Sequence, residues 1–134
     1  MNKSTLNLFK KLLLVILILS SCTSYQSEFE DQVLQVYKQN NPESAAIYED
    51  SELLNRVQDD CSFVEEGIEE HNSDNLNLEF FIDFHYISFR ILDFEPQDVY
   101  EYMSVLYRYC GYENEFKENW NSVEIRETSF KNYS

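Results

Sequence analysis

The near absence of glycine and proline restricts the fold of this chain more than any other feature. Its 134 residues contain two of each, Gly67, Gly111, Pro42 and Pro96. An all-β domain with many tight turns would need more of them. The chain also contains ten Tyr, ten Phe and one Trp, far more aromatic residues than a disordered segment carries. The composition therefore predicts a packed domain built from a few long helices.

The clearest helical period lies between residues 51 and 70. Its apolar residues recur at steps of three and four, and mostly polar residues fill the positions between them. This pattern predicts an amphipathic helix with Cys61 on its buried side. Asp50 or Ser51 can cap its start, and residues 71–75 have the composition of a loop. The apolar positions are Leu53, Leu54, Val57, Cys61, Val64 and Ile68.

Two further segments show a helical period. The first begins at Glu28 and ends before Pro42, because the residue before a proline avoids the helical region; residues 44–48 add a turn. The second begins at Pro96, which suits the first helical position, and Gly111 is the expected C-terminal cap. Their buried positions are predicted to be Phe29, Val33, Val36 and Tyr37, and Val99, Met103, Leu106 and Cys110.

Residues 76–94 fit two patterns. Apolar residues alternate from Leu76 to Tyr86, as in a strand, with residues 122–126 as a conceivable partner. On a helix, one narrow polar stripe contains Glu79, Asp83, Tyr86, Arg90 and Asp93, and the segment is long for a strand. We therefore expect a central, mostly buried helix.

The segment after Gly111 lacks a clean period. We expect a short helix over residues 114–119 and an irregular end. Trp120 either packs against the bundle or is presented to a partner, and packing is the favoured alternative.

The N-terminus has the pattern of a secretory signal. Lys3, Lys10 and Lys11 precede an unbroken apolar run over residues 12–19, and small residues follow. The run is about 8 residues long, whereas a membrane-spanning helix needs roughly 20. The pattern indicates export rather than a permanent transmembrane helix.

The end of this run resembles the lipobox of bacterial lipoprotein precursors. Leu19-Ser20-Ser21-Cys22 supplies an aliphatic residue, two small residues and a cysteine. The resemblance implies cleavage before Cys22, a lipid on Cys22, and an anchor in the cell membrane or outer membrane facing the periplasm or exterior. An ordinary signal peptide followed by a chance cysteine is the alternative. The predicted organisation is a signal peptide over 1–21, a tether over 22–27 and one helical domain over 28–134, with its core at 28–111 and an extension at 112–134.

The lipoprotein resemblance limits how the other two cysteines can pair. If Cys22 carries the lipid, Cys61 and Cys110 remain and allow one pairing, in a compartment that permits disulfides. The alternative is two buried free cysteines, and a redox-active pair is disfavoured because the chain has no Cys-x-x-Cys motif. We predict an all-α fold, a small disulfide-clamped bundle of about four helices.

A second resemblance covers residues 53–111. The pattern Cys61-Ser62-Phe63-Val64-Glu65-Glu66-Gly67, then Glu95-Pro96-Gln97-Asp98 and Tyr109-Cys110, is similar to a family of small secreted helical domains of unknown function. Aromatic residues here replace the small residues of that family. The resemblance implies a disulfide-clamped helical bundle and no particular activity.

The charge of the chain constrains its partners. The formal net charge of −15 becomes −18 when the three leader lysines are removed. Such a chain repels phosphate backbones, so no nucleic acid is expected. It also repels anionic lipid, so the covalent anchor on Cys22 is the expected link to the membrane. A basic protein is the electrostatically favoured partner; otherwise the acidity serves only to keep a surface protein soluble.

Residues that could carry out chemistry are few. The chain has no glycine-rich phosphate loop and no Gly-x-Ser-x-Gly motif, and we expect His85 to be a core or interface residue. His71 lies near Glu70 and Asp74 but lacks the His-Glu-x-x-His spacing of a zinc site. We therefore expect a binding or structural module, with no enzymatic activity and no cofactor. The alternative is a metal-dependent accessory protein or enzyme that uses His71 and its neighbouring acids.

Overall fold

The fold is all-α, as the composition and periodicity predict. The computed structural model describes residues 25–134, together with Lys3, Thr5, Asn7 and Lys10. Within these residues the secondary structure is helical, without strands. None of the described helices is long and apolar enough to cross a membrane. Cys22 and the rest of the lipobox lie outside the described residues, so the cleavage and lipidation stay predictions.

Seven α-helices follow a short 3-10 turn at Ser27–Phe29 in the part of the chain that the structure describes. The helices are α1 Glu30–Asn40, α2 Pro42–Ile47, α3 Asp50–Asn72, α4 Leu78–Ile91, α5 Pro96–Cys110, α6 Glu113–Asn119 and α7 Val123–Tyr133. The four predicted long helices correspond to α1, α3, α4 and α5. The predicted turn at residues 44–48 corresponds to α2, and the predicted short helix at residues 114–119 corresponds to α6.

Helix α7 replaces the irregular end that we expected. Ser122 starts it, because the Oγ of this residue accepts a hydrogen bond from the backbone N–H of Ile125 at 3.2 Å. The side of α7 that faces the bundle carries Arg126, which is only 2 % exposed. In the sequence, a buried charged residue cannot be distinguished from a polar surface residue. The apolar period of α7 is weak because Arg126 occupies a buried position of this helix.

Several predicted helix ends agree with the structure and others differ. Pro96 is the first residue of α5, and Gly111 caps its end with a left-handed φ of 91°. Helix α3 is capped by Glu49 instead of Asp50 or Ser51, since Glu49 and Glu52 form a reciprocal capping box. The same helix continues to Asn72, so the loop after it begins at residue 73 and not at residue 71 as predicted.

Helix α5, not α4, is the centre of the bundle. It contacts α1, α3, α4, α6, α7 and the initial 3-10 turn. Its buried residues cover more than half of its circumference and include Tyr102, Met103, Leu106, Tyr107 and Tyr109. The expectation that α4 is the central helix is therefore wrong, because α4 packs on one side of α5 only.

The Cys61–Cys110 disulfide joins the middle of α3 to the last residue of α5, with the two Cα atoms 5.4 Å apart. Cys61 is fully buried and Cys110 nearly so. The disulfide pairing is the predicted one. It ties the longest helix to the central helix, so the two helices that organise the core are held together covalently.

Candidate functional site

Helix α4 exposes an apolar surface on the outside of the bundle. Phe80, Phe84 and Ile91 are 55 %, 53 % and 71 % exposed, and Tyr133 at the end of α7 is 70 % exposed. With the half-buried Ile87, they form one continuous surface, here called the α4 face. Phe80, Phe84, Ile87 and Tyr133 also line a groove of about 230 Å³. Contiguous exposed apolar surface of this kind marks an interaction site in a soluble domain.

The position of the α4 face follows from the helical period. Residues 80, 84, 87 and 91 are separated by four, three and four positions, so their side chains share one side of the helix. The other apolar side of α4 carries Ile82 and Tyr86, which are fully buried. Helix α4 therefore has more apolar surface than its contacts with the bundle can cover.

The polar stripe of α4 explains why this surface is left open. Asp83 forms an ion pair with Arg126 of α7 at 3.3 Å. Arg90 forms an ion pair with Glu127 of the same helix. Asp83 and Arg90 thus face α7 and are largely covered by it, whereas Glu79 stays exposed. The apolar residues on the neighbouring side of α4 remain open to solvent. The expectation that the apolar side of α4 is mostly buried is wrong for this reason.

Tyr86 strengthens the junction between α4 and α7. Its hydroxyl donates a hydrogen bond of 2.6 Å to Glu127 Oε1. Hydrogen bonds from Arg90 and Tyr86 hold the pKa of the Glu127 carboxyl below its ordinary value, the contribution of Arg90 being the larger. Glu127 is therefore charged and bound at neutral pH, and it fixes the helix that borders the α4 face.

Two exposed acidic residues border the α4 face. Glu79 shares a groove with Phe80 and Asp93 shares one with Ile91, whereas Asp83 is neutralised by Arg126. The face therefore combines an apolar centre with acidic residues at its border, in a chain whose formal net charge is −15.

His85 lies on the buried side of α4 behind this face. It is 3 % exposed, and its Nδ1 is 3.1 Å from the Tyr107 hydroxyl. Burial lowers the pKa of His85 to about 3, because the imidazolium would lose its hydration. His85 is thus a neutral core residue, as expected from its apolar surroundings in the sequence.

We expect acidification to destabilise the protein through His85. Below its unfolded pKa of about 6.5 the unfolded chain binds a proton that the folded protein does not, so stability falls as the pH falls toward 3. The loss at pH 5 is about 2 kcal/mol relative to pH 7. Urea unfolding of wild type and His85→Gln at both pH values measures it, and the variant should lack this loss.

His71→Gln is the matched control, because it removes the other histidine and should leave the pH dependence unchanged. Burial raises the pKa of Asp60 and contributes in the opposite direction, but this contribution is common to all three proteins. An identical pH dependence in wild type and His85→Gln would contradict the assignment.

The residues around His71 do not converge on a metal site. Its Nδ1 is 3.0 Å from the Leu76 carbonyl oxygen, which orients the ring toward the following loop. Across the described residues, no group of three or more His, Cys, Asp and Glu side chains is positioned to hold a metal ion. The metal-dependent alternative with Glu70 and Asp74 therefore gains no geometric support.

Trp120 packs against the bundle. Its ring stacks on Phe116 with centroids 5.2 Å apart and meets Tyr86 edge-on at 5.7 Å. The guanidinium of Arg126 also lies over it, 5.4 Å from the ring centroid. Of the two expectations for Trp120, packing is confirmed.

Sequence reasoning missed the α4 face, although it predicted the helix that carries it. The available signal was the narrow polar stripe of residues 76–94, which leaves an unusually wide apolar surface on one helix. Comparison of the chain with protein-family models, curated proteins and solved structures finds no match. The functional argument therefore rests on the geometry of this chain.

Proposed function

We propose that the protein is a lipid-anchored binding module of the bacterial cell envelope, which holds a basic partner protein on the α4 face. The observation that carries this proposal is the exposed apolar stripe of Phe80, Phe84 and Ile91. Apolar centres with polar rims are the usual anatomy of protein–protein interfaces. The aromatic residues of the stripe are of the type that dominates binding energy at such interfaces.

Charge supports a basic partner. The exposed carboxylates of Glu79 and Asp93 at the border of the face would attract lysine and arginine residues around an apolar centre. The formal net charge of −15 would speed the encounter with a positively charged protein. The same charge disfavours a second copy of this chain and an anionic membrane as occupants of the face.

The start of the folded domain supports an outward orientation of the α4 face. Tyr25 packs on Tyr109, with ring centroids 5.4 Å apart. Two residues farther back on α5, Tyr107 contacts His85 of α4. Residues two apart on a helix point to nearly opposite sides, so α5 separates Tyr25 from α4. An anchor on Cys22, three residues before Tyr25, would leave the α4 face turned away from the lipid.

The anchor is tested by metabolic labelling of the full chain with palmitate in a bacterial host. We expect label on the wild type and none on Cys22→Ser. Equal labelling of both proteins would contradict the lipoprotein assignment.

The α4 face is tested with a defined probe, an amphipathic helical peptide of leucine and lysine. The full chain is held in nanodiscs of uncharged lipid, and binding is followed by fluorescence anisotropy of the labelled peptide. We expect Phe84→Ser to weaken binding about 30-fold, because a central aromatic anchor contributes about 2 kcal/mol. Raised salt should weaken the wild-type interaction as well.

Ile47→Ser is the matched control, since Ile47 is 75 % exposed and lies on α2, away from the α4 face. It should bind the peptide like wild type, and a scrambled peptide of the same composition should bind none of the proteins well. Equal weakening by both substitutions would contradict the proposal. A wild-type dimer that Phe84→Ser dissociates would instead identify a second copy as the occupant.

A further inference from the structure

A second cavity, of about 180 Å³, lies where the C-terminal ends of α1 and α4 meet the start of α5. Its walls include four aromatic rings, from Tyr37, Phe89, Phe94 and Tyr102, and the carboxyl group of Asp60. None of the residues that form the α4 face lines it. The volume is below the roughly 300 Å³ at which drug-sized sites begin, so it suits a ligand of few heavy atoms.

The four rings stand at steep angles to one another. Phe89 and Tyr102 are 5.5 Å apart and perpendicular, and Tyr37 meets Tyr102 at 60° and 5.8 Å. Phe94 meets Phe89 at 68° and 6.3 Å. The four rings thus pack edge to face in one connected group, and each contributes to the lining of the cavity. Aromatic rings attract ammonium groups, because their faces carry partial negative charge.

Asp60 supplies a negative charge at this cavity. The Tyr102 hydroxyl donates a hydrogen bond to Asp60 Oδ2 at 2.5 Å, and burial raises the pKa of the carboxyl group. None of the ion pairs among residues 25–134 involves Asp60. Arg56, one turn earlier on α3, has its guanidinium over the Tyr48 ring, 4.4 Å from the centroid. Its charge also acts on the Tyr37 hydroxyl, where it lowers the pKa against the larger effect of burial, but it forms no ion pair with Asp60. A bound cation would give this half-buried carboxylate the charged partner that it lacks.

We propose that this cavity binds a small organic cation of the quaternary-ammonium class, with Asp60 as counter-ion and the four rings as walls. Such a cation can reach the site as a free solute or as the headgroup of a lipid. The site is independent of the α4 face, so Phe84→Ser should leave it intact.

The proposal is tested by calorimetric titration of the full chain in a maltoside detergent, which carries no ammonium group. The probes are choline chloride and 3,3-dimethylbutan-1-ol, a neutral molecule of the same shape in which carbon replaces the charged nitrogen. We expect saturable binding of choline and at least about ten-fold weaker binding of the neutral analogue. Equal affinity for the two, or no binding of choline, would overturn the proposal without any variant being made.

Asp60→Asn tests the counter-ion and keeps an acceptor for the Tyr102 hydroxyl. The matched control is Asp59→Asn, which removes the same charge from the neighbouring exposed position. We expect Asp60→Asn to weaken choline binding at least about ten-fold and Asp59→Asn to leave it nearly unchanged; equal effects would overturn the assignment of Asp60. Glycerophosphocholine distinguishes the two sources, since binding as tight as that of choline indicates a lipid headgroup and weaker binding indicates a free solute.

Discussion

Loss of the Cys61–Cys110 disulfide is expected to lower the free energy of unfolding by about 4 kcal/mol. The bond closes a loop with a sequence separation of 49, and its main effect in the chain-entropy model is to restrict the unfolded chain. The total stability of a domain of this size is about 5–15 kcal/mol. Urea unfolding with and without reductant, followed by circular dichroism, measures the change.

Cys61→Ala combined with Cys110→Ala provides the control for the reductant. This double variant should unfold at the lower urea concentration whether or not reductant is present. Cys61 is fully buried, so the substitutions add a small packing loss to the loss of the cross-link. A wild type whose unfolding midpoint does not move on complete reduction would show that the disulfide contributes no stability.

Arg126→Met is expected to lower the free energy of unfolding by about 3 kcal/mol. The substitution leaves Asp83, whose side chain is 13 % exposed, without its ion-pair partner. It also removes the donor to the Asn119 carbonyl oxygen, which Arg126 Nη2 contacts at 2.7 Å. Removing one partner of a buried ion pair typically costs 3–5 kcal/mol, because the other charge stays buried. Urea unfolding of the variant measures the effect.

The double variant Asp83→Leu with Arg126→Met distinguishes two causes of this loss of stability. One is a buried Asp83 carboxylate without an ion-pair partner, and the other is a loss of packing around Arg126. It should recover more than half of the lost stability, since an apolar pair can replace a buried ion pair at little cost. Lys131→Met is the matched control, because Lys131 is an exposed cation of the same helix. Its expected effect is within about 0.5 kcal/mol. A double variant as unstable as the sum of the single ones would contradict the explanation by an unpaired Asp83 carboxylate.

The long helices could be predicted because local patterns encode them. The apolar positions of α3, from Leu53 to Ile68, repeat at the helical period and are mostly buried. Pro96 and Gly111 mark the ends of α5 through their fixed or unusual backbone angles. The predicted cap of α3 was wrong, since Glu49 is not among the residue types that usually start a helix.

The α4 face could not be predicted, because hydrophobic pattern does not say which side of a helix a neighbour covers. Phe81 and Phe84 are the same residue type three positions apart, yet Phe81 is 6 % exposed and Phe84 is 53 % exposed. Phe81 is buried because its ring packs against Phe63 and Gly67 of α3, whereas Phe84 lies on the open side of α4. The difference therefore depends on how α4 docks on α3, which the hydrophobic pattern does not contain.

The organic-cation cavity required the tertiary structure for a related reason. Tyr37, Asp60, Phe89 and Tyr102 come from four different helices, so nothing in their sequence spacing brings them together. Aspartates are also abundant in this acidic chain, and the sequence alone does not distinguish Asp60 from Asp59. Only the packing of α3 against α5 buries one carboxylate beside the Tyr102 hydroxyl.

Local patterns in the sequence predict the helical class, the main helices and, if Cys22 carries a lipid, the Cys61–Cys110 pairing of this protein. These properties depend on local periodicity, on the scarcity of glycine and proline, and on the small number of cysteines. The tertiary structure decided that α5 is central, that the polar stripe of α4 pairs with α7, and that Phe80 and Phe84 face solvent. Those properties depend on which surfaces meet, and the free energy of each contact is shared between residues far apart in the chain.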